Sequence, residues 1–120
     1  MRAAIRLSKA KPPLTDPTCF LCQQAVEKYL KAFLQEFGLA IPFIHDLDRL
    51  LLLLLPHDPT LRPLRRGLKG LTRFAVDFRY PGYHASKREM LSVLGRAKRL
   101  RQHVRQRLGL DRPPRRKKTP

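Results

Sequence analysis

Tryptophan is absent from this chain, cysteine occurs only twice, and 9 acidic residues stand against 26 Lys+Arg. Alternating runs of β-branched residues are also missing, so no segment reads as a good strand. The two cysteines, Cys19 and Cys22, are too few for a disulfide-built secreted scaffold and fit a reducing cytosol. A structural zinc would need a second pair of ligands beside C-x-x-C. A thioredoxin-like thiol pair would need a βαβ setting. The sequence offers neither, so core packing is the expected role of both thiols, with no metal and no cofactor. The leucine run Leu50 to Leu55 is far shorter than the about 20 residues of a membrane span. The opening "MRAAIRLSKA" carries charge without a long apolar stretch, so no secretory leader is expected. These absences predict a soluble, cytoplasmic protein with no membrane partner.

What is present is leucine, arginine and proline. Apolar residues make up 42% of 120 residues, enough for one globular core rather than a disordered chain. The net charge of +17 bears on partners and solubility rather than on fold. It points to an anionic partner such as nucleic acid, a nucleotide or an acidic protein. The plainer reading is arginine used as a general solubility device.

Proline and glycine cut the chain into helical lengths. "RAAIRLSKA" reads as a short first helix stopped at Pro12-Pro13. "TDPTCFLCQQAVEKYLKAFLQEFG" is the strongest helix, with Asp16 as N-cap, Pro17 in the first helical position and Gly38 as C-terminal stop. Its apolar face carries Cys19, Cys22, Val26, Tyr29, Leu30, Phe33 and Phe37, with Gln24, Lys28, Lys31 and Gln35 facing water. "HDLDRLLLLLLP" predicts a short helix capped by His45 or Asp46, apolar on every side. It is therefore broadly buried or meets another subunit. "DPTLRPLRRGLKGLTRFAVDFRY" predicts a further helix opened by Asp58 and Pro59, with a seam of Leu61, Leu64, Leu68, Leu71, Ala75 and Phe78. Gly67 and Gly70 on its flank leave room for close approach by a neighbour. After the break "YPGY", "HASKREMLSVLGRAKRLRQHVRQRLG" predicts the last helix, buried through Met90, Val93, Leu94, Ala97, Leu100, Val104 and Leu108 and basic elsewhere. The expectation is all-α: an up-and-down bundle of four main helices plus a short N-terminal one over residues 1–109, with a disordered basic tail over 110–120.

The octapeptide "DFRYPGYH" holds the candidate chemistry. Arg79 ends one predicted helix and His84 begins the next, so their tips can converge on one cleft. Arginine grips phosphate with two parallel donors. A histidine exchanges protons near neutral pH. Together they suffice for metal-free RNA cleavage through the ribose 2′-hydroxyl, with arginine stabilising the crowded phosphate. Lys87 and Arg88, one turn further, raise the local potential, and a helix N-terminus favours an anion. The structural reading of the same residues is equally simple: Arg79 closes a helix C-terminus and His84 sits at a helix start. His57 and His103 read as exposed surface residues.

Three ordered blocks, "DPTCFLCQQAVEKYLKAFLQEFG", "IPFIHDLDRLL" and "FAVDFRYPG", make the chain resemble the HEPN domain, and in particular the small stand-alone prokaryotic members. The likeness runs from about Ala3 to Leu108. It implies an up-and-down helical bundle that forms a homodimer and pairs with a minimal nucleotidyltransferase in toxin–antitoxin fashion. In many members an arginine followed by a histidine cleaves RNA without metal; Arg79 and His84 match that motif. The resemblance also makes Tyr83 and Tyr80 the local candidates for AMP attachment by the nucleotidyltransferase. Tyr80 stands where active members often carry a polar residue, and Pro81-Gly82 make the middle of the motif a turn.

Overall fold

The computed structural model describes residues 1–68, 71 and 84–109, and all its regular structure there is helical. Helix α1 spans Arg2–Ser8, α2 Thr15–Glu36, α3 Leu47–Leu54 and α4 Lys87–Arg107. A 3₁₀ helix, Pro59–Leu64, lies between α3 and α4 and continues as α-helix over residues 65–68. The disordered tail expected over 110–120 lies outside the described residues. Among the described residues no helix is long and apolar enough to cross a membrane.

The apolar stripe of α2 organises the bundle. Cys19, Cys22, Val26, Leu30 and Phe33 are buried, and Tyr29 and Phe37 pack against them at the margin. Helix α2 packs on α1, α3 and α4. The α4 stripe, Met90 through Val104, closes the other side, and Leu108 packs against the edge of the core. Burial of one leucine contributes about 1.5–3 kcal/mol, so Leu30, Leu34, Leu50, Leu51, Leu54 and Leu100, all fully enclosed, dominate the apolar stabilisation.

The boundaries correct the sequence reading at several points. Helix α2 begins at Thr15, with Leu14 as its N-cap and no side-chain cap. Thr18 donates both its N–H and its hydroxyl to the Leu14 carbonyl, drawing the helix back past Asp16. Gly38, at φ +72°, ends α2 in the left-handed conformation glycine tolerates best. Asp46 caps α3 by accepting from the amides of Asp48 and Arg49. The leucines of α3 are not buried all round: Leu47, Leu50, Leu51 and Leu54 are enclosed, whereas Leu52 and Leu53 are 41% and 45% exposed. The helix expected from Asp58 starts as 3₁₀, because Pro59 and Pro63 lack the amides an α-helix would use. Lys31, expected to face water freely, instead donates to Glu27.

Candidate functional site

Once α2 starts at Thr15, Asp16 is released from capping duty and lies in the helix's first turn. Its carboxylate reaches across to the segment that leads into α4. Oδ1 accepts the Ala85 amide at 2.6 Å, and Oδ2 meets His84 Nδ1 at 2.9 Å. The N-terminal ends of α2 and α4 are thereby fastened side by side. An ionised carboxylate accepts but does not donate, so Nδ1 carries a hydrogen in this contact. In the neutral tautomer with that hydrogen, Nε2 carries the lone pair. The Asp16 side chain is 19% exposed and that of His84 79%, so the anchor is sheltered and the imidazole is open to solvent.

His84 does not begin α4. Ser86 is the N-cap: its Oγ accepts from the Glu89 amide at 3.0 Å, and Glu89 Oε1 accepts from the Ser86 amide at 2.9 Å. This reciprocal capping box already uses part of the anion-binding capacity expected of the helix end, and Glu89 adds negative charge there. The positive charge at this corner is on side chains: Lys87 and Arg88 are the first two residues of α4 and both are exposed. Arg79, Tyr80 and Tyr83 lie outside the described residues. The signal for the capping box was present as Ser-x-x-Glu in "SKRE". The Asp16–His84 contact spans 68 positions and has no local signal.

Two further histidines hold carboxylates. His103, expected to be a bystander, meets the buried Asp58 at 3.3 Å, and Arg107 Nε reaches the same Oδ2 at 3.3 Å. Asp58 also accepts from the Thr60 amide and hydroxyl, capping the 3₁₀ helix. Burial alone would raise the Asp58 carboxyl, but hydrogen bonds from Thr60 and His103 and the charge of Arg107 bring it below its ordinary value. His45 Nδ1 lies 2.9 Å from Glu27 Oε2, which Lys31 also approaches at 3.1 Å. There too burial pushes upward, and the bonds from His45 and Lys31 win, lowering the Glu27 carboxyl.

The two thiols are free and buried. Burial, then the neighbouring Cys22, Asp16 and Glu89, push Cys19 up to about 12. Burial pushes Cys22 up to about 11, against the pull of the N-terminal ammonium and Lys98. Both are reduced and enclosed, the state of an inert core thiol. Among the described residues no cluster of three or more His, Cys, Asp or Glu side chains is arranged to hold a metal ion.

The HEPN domain family model matches residues 1–107 of the chain. No curated protein and no solved structure gives a match.

Proposed function

The chain belongs to the HEPN domain family, and from that premise we propose that it binds the phosphate groups of RNA or a nucleotide at the corner formed by His84, Lys87 and Arg88. It does so as a homodimer and as the partner of a minimal nucleotidyltransferase in a toxin–antitoxin-type pair. The observation that carries the reading is the exposed His84 ring, tied through Nδ1 to Asp16 and set directly ahead of two exposed cations at the start of α4. The exposed Leu52 and Leu53 of α3 supply an apolar surface suited to self-association. Tyr83 and Tyr80 are the residues we assign to receive AMP from the partner enzyme.

The same contact favours a second reading, metal-independent cleavage of RNA by Arg79 and His84. With Nδ1–H held by Asp16, the Nε2 lone pair takes the proton of a ribose 2′-hydroxyl. The 2′-oxygen attacks the adjacent phosphorus, and the bond to the 5′-oxygen breaks. The leaving oxygen takes a proton from water, and the hydroxide so formed takes back the proton held at Nε2, giving a 2′,3′-cyclic phosphate, a free 5′-hydroxyl and a neutral imidazole. Arg79 serves to stabilise the charge on the crowded phosphate. Asp16 acts as a positioning residue, holding the tautomer.

Incubating pure protein with RNA in EDTA tests both, with His84→Ala as the control. RNA binding that weakens with salt but yields no products supports phosphate binding alone. Cleavage that disappears in His84→Ala supports the enzyme. Absence of salt-sensitive binding to RNA and to nucleotides would remove both readings.

A further inference from the structure

A second concentration of cationic side chains lies where the end of the 3₁₀ segment and α4 border a common hollow. An open cleft of about 490 Å³ is lined by Arg62, Pro63, Arg65 and Arg66. An adjoining hollow of about 220 Å³ shares Pro63 and Arg66 and is walled on the other side by Arg96 and Arg99 of α4. Arg65 is committed to Asp48 through two bonds, Nε to Oδ1 at 2.8 Å and Nη2 to Oδ2 at 3.3 Å. Among the described residues Arg62, Arg66, Arg96 and Arg99 have no carboxylate within ion-pair distance. Arg62 and Arg66 flank the first opening, and Arg66, Arg96 and Arg99 the second; an anion placed among like charges relieves their repulsion.

Gly67 makes room for one member of the α4 pair. A Cβ on Gly67 would lie 3.1 Å from Arg96 Cδ, so the missing side chain is what lets the Arg96 stem lie across the 65–68 turn. A Cβ on Gly95 would be in ordinary contact with Arg99 Nη1, at 3.8 Å, so the Arg99 head lies back toward the start of α4.

We propose that this arginine cleft holds the phosphodiester backbone of single-stranded RNA and is a second anchoring site for the strand bound at the His84 corner. The guanidinium fork matches phosphate oxygens in pairs. Among the described residues no aromatic side chain lines either hollow, and the guanidinium groups there contact phosphate oxygens without reading sequence. Arg88 and Arg99 are 11 positions apart on one helix, which places them on nearly the same face about 16 Å apart. A polymer with a charge on every unit spans that distance, and a mononucleotide does not. The inference rests on the phosphate-binding reading of the corner for its second end alone.

The test is fluorescence anisotropy of a short 2′-O-methyl RNA with the full chain in EDTA, across about 50–200 mM salt. Three variants lose the same charge: Arg96→Gln/Arg99→Gln in the cleft, Lys87→Gln/Arg88→Gln at the corner, and Arg2→Gln/Lys28→Gln elsewhere. Each phosphate contact on a single strand contributes about 0.7 to the slope of log affinity against log salt. The cleft variant is expected to lower the slope by about 1.4 while the third leaves it unchanged. Arg62→Gln/Arg66→Gln, changing two exposed side chains outside α4, is expected to do the same. Equal effects of the cleft variants and the Arg2/Lys28 variant would overturn the proposal, as would an unchanged slope in both cleft variants. Polyglutamate bound as tightly as RNA, and lost with the same arginines, would overturn the assignment to RNA. Loss at the corner alone removes the cleft and keeps the proposed function; loss at the cleft alone does the reverse.

Discussion

Asp16 and His84 stand 68 residues apart in the chain and 2.9 Å apart in the fold. One carboxylate thus does two things: it ties the start of α2 to the approach of α4, and it fixes which nitrogen of the imidazole carries the proton. Structure and site share a single anchor, and substitutions at either end separate the two roles.

Asp16→Ala removes both the Ala85 and His84 contacts. Hydrogen bonds to charged groups contribute about 1.5–3 kcal/mol each, reduced here because the His84 ring is exposed. A loss of about 2 kcal/mol in unfolding free energy is expected from urea titration. Asp16→Asn keeps an acceptor for the Ala85 amide and is expected to cost less than half as much, while the Nδ1-protonated signature of His84 in ¹⁵N spectra is lost.

Asp58 is expected to matter more for stability than its place in a loop suggests. Asp58→Ala leaves Thr60, His103 and Arg107 without their shared acceptor and uncaps the 3₁₀ helix. The expected cost is about 2–3 kcal/mol by urea unfolding.

Acid should unfold the protein through the same carboxylates. Asp58 and Glu27 both lie below their ordinary values of 3.8 and 4.5 in the folded state. A lowered carboxyl stabilises the fold above its ordinary value, and that contribution is lost as pH falls through the lower folded value. The urea midpoint should therefore be flat with respect to these groups above about pH 5 and fall below about pH 4. Asp58→Asn should flatten part of that fall. An unchanged acid limb would rule out Asp58 as a contributor.

Cys19 and Cys22 should resist alkylation in the native protein. With thiols raised to about 12 and about 11, thiolate is scarce at neutral pH and the sulfurs are enclosed. Iodoacetamide, read by mass spectrometry, should label neither until urea unfolds the chain. Rapid native labelling of either would contradict their assignment to the core.

The apolar faces of α2 and α4 were legible because their period of burial is local: Val26, Leu30 and Phe33 recur at helical spacing, as do Val93, Ala97, Leu100 and Val104. The site was legible only in part. Residue types and spacing single out His84, Lys87 and Arg88 as candidates, but the carboxylate that meets His84 reads as a helix cap. Asp16 before Pro17 looks like a cap, and only the pull of Thr18 on Leu14 frees its carboxylate. Asp58 and His103 are separated by 45 positions, and the arginine cleft is assembled from two elements, so neither leaves a mark in a local pattern. Leu52 and Leu53 are exposed while Leu50, Leu51 and Leu54 are buried, a difference that a uniform leucine run conceals. If that surface serves self-association, Leu53→Glu converts a dimer to a monomer in sedimentation velocity.

The most direct measurement follows the imidazole nitrogens of the four histidines by NMR while a 2′-O-methyl RNA is added. The expected result is a saturable shift of His84 Nε2, with Nδ1 remaining protonated against Asp16 and with His45 and His57 unmoved. A His84 ring unperturbed at RNA saturation would contradict the placement of the phosphate at this corner.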